Sequence, residues 1–295
     1  MSDEQQQVAN PDPPEVSLRG RRIRNPKLRR GIFLLPSLFT TGNLVCGYYA
    51  CVATLLGTAQ AGDPFDRAAK AIGLAMVFDS LDGRVARLTG TNTEFGVQFD
   101  SLADVVSFGI APGLLAYSWG VRNLPGLEST QGAQEFMHTG AHWAISAANF
   151  GWWFCLAFVV CCAWRLARFN VQGMAPGGSK YFVGMPTPAA AGMIAATVHA
   201  FKDPIQDWRW SVAWILLVLA LAYLMTSTIR FYSFKDLPWT RKQPSLAIVM
   251  IALFGAAIWR WSEEVLLLLA ATYTAVGVTL HVVRFVRHRF VTRTA

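Results

Sequence analysis

Charged residues are scarce in this chain. Asp, Glu, Lys and Arg make up 15% of its 295 residues, against about 25% in soluble proteins, which excludes an ordinary soluble domain. The five cysteines, Cys46, Cys51, Cys155, Cys161 and Cys162, include no CxxC pair, so neither a cysteine zinc site nor a disulfide framework is expected. They read instead as small apolar packing residues. No ten-residue alternation of polar and apolar positions runs along the chain, which excludes a β-barrel, and there is no tandem repeat. Residues 1–18 are polar and Pro-rich and do not form a cleavable signal peptide. The net charge is +8, yet no soluble basic face exists to meet a nucleic acid, and that partner is excluded. No Ser–His or Cys–His pair offers a dedicated nucleophile.

What the chain does have is apolar length. Hydrophobic residues make up 53% of it and come in long runs such as 210–225 and 245–259. A helix needs ~20 apolar residues to cross a bilayer, and a lipid-exposed backbone must satisfy its own hydrogen bonds. The pattern predicts an all-α membrane protein, a polytopic bundle of about eight transmembrane helices at roughly 32–58, 68–88, 96–119, 142–168, 185–202, 210–230, 244–261 and 263–284. Residues 1–30 read as a flexible basic cytoplasmic tail and 31–295 as one membrane domain. With the amino terminus inside, 20 of the 26 Lys and Arg residues fall on the inner side, which places both termini in the cytoplasm. The basic stretch 19–30 then lies against anionic headgroups. Trp208, Trp210, Trp259 and Trp261 sit near span ends as interfacial anchors, and His281 and His288 read as interface residues.

The chemistry concentrates between the second and third spans. Asp79 and Asp82 are three apart and Asp100 and Asp104 four apart, so each pair shares one helix face. Antiparallel packing of the two helices gathers all four carboxylates near the inner boundary. Four such groups cannot all remain ionised unaided. A divalent cation relieves the repulsion, and oxygen ligands suit Mg²⁺ or Mn²⁺, with Ca²⁺ a less active substitute. Magnesium sites commonly share the metal with phosphates, so the cluster predicts a phosphate-bearing substrate and room for one or two ions. Gly83, Ala86 and Gly96 keep the surroundings small enough for a nucleotide, and Arg87 can neutralise charge developing on a leaving phosphate. The competing reading, acids merely paired with Arg84 or Arg87 to staple helices, is weaker, because intramembrane acids are costly and functional by default.

These residues resemble the CDP-alcohol phosphotransferase family, whose signature is D-x2-D-G-x2-A-R-x8-G-x3-D-x3-D. Asp79, Asp82, Gly83, Ala86, Arg87, Gly96, Asp100 and Asp104 match it with every spacing intact. The resemblance implies transfer of a CDP-activated group to an alcohol with release of CMP. It implies that the four aspartates hold the metal and that Asp104 accepts the proton of the attacking hydroxyl. The segments 35–47, 165–170, 184–191 and 227–235 are similar to the bacterial phosphatidylserine synthases within that family, although Ser37 stands where Asn is usual. This points to CDP-diacylglycerol and L-serine as substrates, in a bacterial inner membrane with the site facing the cytoplasm, and to a homodimer. Arg165, Arg168, Arg230 and Lys235 lie at inner helix ends, where they can receive the serine carboxylate or a lipid phosphate. Asn43, polar within an apolar helix, can bond the nucleotide or a neighbouring helix. Pro186 and Pro188 shape a helix start. Glycerol 3-phosphate, inositol phosphate and choline remain alternative acceptors, and a cation-binding transporter the more distant alternative.

Overall fold

The computed structural model describes residues 17–18, 21–22, 26–58, 61–89, 93–122, 142–172, 181–227, 229–232, 255–258 and 260–291. Seven helices carry the fold among them. They are α1 (Pro26–Leu55), α2 (Asp63–Thr89), α3 (Glu94–Arg122), α4 (His142–Gln172), α5 (Thr187–Phe201), α6 (Trp208–Thr226) and α7 (Ser262–Val291). Two short antiparallel ladders accompany them, β1 (Ser17–Leu18) with β2 (Arg21–Arg22), and β3 (Tyr181–Val183) with β4 (Arg230–Tyr232). Among the described residues the protein is therefore mainly helical apart from these ladders, as composition predicts.

The number of spans is a different matter. Five segments among the described residues are long and apolar enough to cross a membrane: Ser37–Leu55, Glu94–Arg122, Gly151–Val171, Trp208–Thr226 and Ser262–Thr279. The expected count of about eight is not confirmed. Helix α2 carries Lys70, Asp79, Asp82 and Arg84 within its length, so the charges of the site themselves lower its hydropathy. Helix α5 has only 15 residues, and the expected span 244–261 lies mostly outside the described residues. So do most of the outer loop expected around 120–141, most of the inner loops expected near 170–184 and 231–243, and most of the expected tail. Within that tail, Pro26 to Arg30 already belong to α1.

Local chemistry explains where elements start and bend. Thr93 caps α3, its side chain accepting from the Gly96 amide at 3.0 Å. Asp207 caps α6 by accepting from the Arg209 amide at 2.9 Å, the usual use of a short polar side chain at a helix start. Helix α3 is not uniform: Val106–Ile110 and Ser118–Arg122 widen into π geometry. Pro112 lies just beyond the first widening and has no N–H to give to the preceding turn. Gly184 turns the chain into α5 at φ 81°, where a Cβ would lie 2.5 Å from the Met225 carbonyl oxygen.

The core runs through α1, α2, α3, α4, α5 and α6, with Phe65, Phe108, Phe158, Ile194 and Met225 fully enclosed. Small residues set its close approaches. A Cβ on Gly47 would meet Ser107 Cα at 2.7 Å, and one on Gly113 would meet Val159 at 2.7 Å. Cys155 and Cys162 are buried in the same core and all five cysteines are free. Helix α1 packs along both α2 and α3, whereas α2 meets α3 chiefly along 106–117. The stretch of α3 bearing Asp100 and Asp104 thus stands somewhat apart from α2, bridged by α1.

Candidate metal centre and active site

Carboxylate oxygens of Asp79, Asp100 and Asp104 lie within 4.8 Å of one another. Asp79 comes from the C-terminal half of α2, and Asp100 and Asp104 from the N-terminal half of α3. The i, i+4 spacing of the α3 pair puts both on the face turned to α2. Asp82 is one turn further along α2 and is buried, as is Asp104. It accepts a hydrogen bond from the Thr40 hydroxyl through Oδ2. Three of the four aspartates read from the sequence are therefore brought to one place, with Asp82 one turn from Asp79 on α2.

The electrostatics of this cluster call for a cation. Oδ1 of Asp82 and Oδ1 of Asp100 are buried without a hydrogen-bond partner. Carboxylates facing one another offer only acceptors, so neither can satisfy its neighbour. Among the described residues, neither Arg84 nor Arg87 forms an ion pair with any of the four acids; the ion pairs recorded there are Lys70–Asp66, His199–Asp66 and Lys202–Glu263. The helix-stapling reading therefore finds no support. A hard divalent cation fits the donor set, because it supplies positive charge to oxygens that have no other partner. Asp79, Asp100 and Asp104 would hold it, with Asp82 alongside.

The other expected residues divide. Gly83 faces open space, and the nearest atom to a Cβ there would be Arg87 Nη2 at 3.9 Å. Ala86 is half-buried and Arg87 exposed beside it, so this side of α2 can admit a substrate. Gly96 has a more local duty, since a Cβ would press on the Thr93 capping oxygen at 3.0 Å. Asn43 reaches an acid: its Nδ2 donates to Asp104 Oδ1 at 2.9 Å, while its own Oδ1 is buried without a partner. Arg165 is buried with Nε unpartnered. Arg168 lies one turn on and donates to the Thr226 carbonyl at 3.4 Å. Asn170 donates to Ser101 Oγ at 2.8 Å, which ties the end of α4 to the acid-bearing end of α3. The backbone of Arg230 is paired with Val183 in the β3–β4 ladder, and Lys235 lies outside the described residues.

Two participants were not singled out from the sequence. Thr40 holds Asp82, and Ser107 Oγ donates to the Asn43 carbonyl at 2.9 Å. Both sit in apolar segments whose packing partners are more than 40 residues away. The spacing of Thr40 and Asn43, one turn apart on α1, was the only available signal.

The chain is similar in sequence to known proteins. Residues 33–226 match the family CDP-alcohol phosphatidyltransferase. A CDP-diacylglycerol–serine O-phosphatidyltransferase of Helicobacter pylori is 32% identical over 223 residues, which is 75% of this chain and 81% of that protein. One of Mycobacterium leprae is 30% identical over 241 residues, covering 79% of this chain and 70% of that protein. An archaetidylserine synthase of Methanothermobacter thermautotrophicus is 32% identical over 214 residues, with 71% and 74% covered. The matched segment takes in the four aspartates and the helices that position them, and the chain belongs to the CDP-alcohol phosphatidyltransferase family.

Proposed function

We propose that this protein transfers the phosphatidyl group of CDP-diacylglycerol to the hydroxyl of L-serine, giving phosphatidylserine and CMP. The family match and the names of its relatives support the reaction. The observation that carries the site is the cluster of Asp79, Asp100 and Asp104 within 4.8 Å, next to the open face at Gly83. Mg²⁺ or Mn²⁺ is the proposed metal, held by these three acids and Asp82. When bound, it supplies Lewis-acid polarisation of the pyrophosphate.

The chain's own residues do the rest. Asp104 is buried and fixed by Asn43 through one oxygen, which leaves the other to accept the proton of the serine hydroxyl. The serine oxygen bonds to the phosphorus that bears diacylglycerol, the pyrophosphate P–O bond opposite breaks, and its electron pair leaves with CMP. Gly83 and Ala86 give the nucleotide room, and Arg87 meets the charge on the departing phosphate. Arg165, Arg168, Arg230 and Lys235 are the proposed receivers of the serine carboxylate or the lipid phosphate. With no Ser–His or Cys–His nucleophile at this cluster, transfer is direct, without a covalent lipid–enzyme intermediate.

The distribution of basic residues supports a cytoplasmic position for the acid end in a bacterial inner membrane, with α2 and α5 crossing beside the five apolar segments. The test is CMP release by purified protein with CDP-diacylglycerol and Mn²⁺, comparing L-serine with glycerol 3-phosphate, inositol phosphate and choline. Release that requires serine supports the reading. Release with another acceptor, and none with serine, overturns the substrate while keeping the chemistry.

A further inference from the structure

We propose that Thr40 and Asn43 are positioning residues, a hydrogen-bonding edge of α1 that aims two of the four carboxylates, Thr40 acting on Asp82 and Asn43 on Asp104. The inference rests on the metal reading of the acid cluster and adds the residues that orient it. Thr40 and Asn43 are one turn apart, so they share a face of α1. Both are enclosed, at 3% and 0% exposure. From this single face the Thr40 hydroxyl reaches Asp82 on α2, and the Asn43 carboxamide reaches Asp104 on α3.

The reach of the Thr40 hydroxyl to a distant acid is the informative feature. Other threonines in these helices return their hydroxyls to their own backbone four residues earlier: Thr41 to Ser37 at 2.7 Å, Thr54 to Ala50 at 2.8 Å, Thr197 to Met193 at 2.8 Å and Thr274 to Ala270 at 2.9 Å. That local bond is the default for threonine in an apolar helix. Thr40 reaches an acid across the bundle. Burying a polar side chain costs free energy unless it finds a partner, and an apolar residue would pack this face of α1 at no such cost.

The bonds also leave the right atoms over. Thr40 engages Oδ2 of Asp82 while Oδ1 remains without a partner. Asn43 engages Oδ1 of Asp104, so the second oxygen stays available to the site. The helix crossing that allows this is fixed nearby. Ser107 Oγ donates to the Asn43 carbonyl at 2.9 Å, and Gly47 lets Ser107 approach. Donors behind metal-binding acids fix their orientation, and losing one typically weakens metal affinity or activity 10–100-fold, on the order of magnitude seen for outer partners generally.

The experiment is Mn²⁺ binding to purified protein, read from the electron paramagnetic resonance signal of the free ion, together with thermal unfolding and CMP release. Thr40→Val removes the hydroxyl and keeps the shape, and Thr40→Ser keeps the hydroxyl. The expected result is Mn²⁺ affinity about tenfold weaker in Thr40→Val and restored in Thr40→Ser, with unfolding temperatures alike. Should Thr40→Val not fold, Thr40→Ala, which cannot overpack, takes its place. Asn43→Leu is expected to lower kcat about tenfold or more with little change in KM for CDP-diacylglycerol. Wild-type affinity in the hydroxyl-free variant, or a Thr40→Ser variant as weak as it, overturns the positioning role while leaving the metal site intact. Failure of the wild-type protein to bind Mn²⁺ overturns the metal reading and this inference with it.

Discussion

Asp100 keeps one buried carboxylate oxygen without a hydrogen-bond partner, on a helix whose next turn presents a second acid. An amide in its place retains the shape and loses the charge that a cation requires. Asp100→Asn is therefore expected to lower kcat by more than about 100-fold, beyond the range for outer partners, while the protein unfolds at an unchanged or higher temperature because one source of repulsion is gone. Near-normal turnover would remove Asp100 from the metal centre. Gly83 gives a complementary test. A methyl there meets only Arg87 Nη2 at 3.9 Å, so Gly83→Ala should fold normally, and a helix interior gains roughly 0.5–1 kcal/mol from the exchange. If the nucleotide occupies that space, KM for CDP-diacylglycerol rises; an unchanged KM would mean the space is not used. At this scale the acids were legible because their spacing alone fixes a helix face. The orientation of Asn43 toward Asp104, and the part played by Thr40, were not, because each depends on which helix lies across from α1.

Helix α1 is the element on which the site turns. It touches both acid-bearing helices, and its approach to α3 depends on Gly47, where a Cβ would sit 2.7 Å from Ser107 Cα and 2.3 Å from its Oγ. Backbone cannot give way as a flexible side chain can. Gly47→Ala should part α1 from α3, destabilise the protein by about 1–3 kcal/mol as overpacking does, and lower activity through Asn43 and Asp104. Retention of both stability and activity would show that the crossing is softer than the packing implies. Among the described residues, seven of the eight expected spans correspond to helices, because apolar runs and the absence of alternation leave little else for a lipid-exposed backbone. The membrane status of α2 and α5 was harder to read for opposite reasons: α2 carries Asp79, Asp82 and other charges along its length, and α5 is short yet encloses Ala190, Ala191, Ile194 and Val198 in the core. The π widening of α3 directly after Asp104 left no sequence mark beyond Pro112.

Across the whole molecule the two ends of the bundle differ. The acid end gathers Asp79, Asp82, Asp100 and Asp104 with Arg165 and Arg168. About 20 Å away along α2, at 1.5 Å per residue from Asp79 back to Asp66, a separate polar network joins three helices. His199 Nδ1 meets Asp66 Oδ1 at 2.5 Å, its Nε2 meets Ser262 Oγ at 2.9 Å, and Lys70 Nζ meets Asp66 Oδ2 at 2.6 Å. Its members are 133 and 63 residues apart, so nothing in the sequence linked them. Because it is remote from the acids, His199→Ala should cost about 1–3 kcal/mol of stability by leaving Asp66 short of a partner, with kcat nearly unchanged; a large loss of kcat at normal stability would show coupling between the ends. Exposed Trp210, and Arg209 and Arg260 stacked over Trp208 and Trp261 at 5.6 and 5.4 Å, fit the interfacial anchoring expected of tryptophans there. The most direct test of the central claim is incorporation of isotope-labelled L-serine into lipid by purified protein supplied with CDP-diacylglycerol, with Mn²⁺ present or chelated, in wild type and in Asp100→Asn. Labelled phosphatidylserine formed in step with CMP, and only by wild type with metal, is the predicted result. Metal-independent labelling, or full labelling by Asp100→Asn, would contradict it.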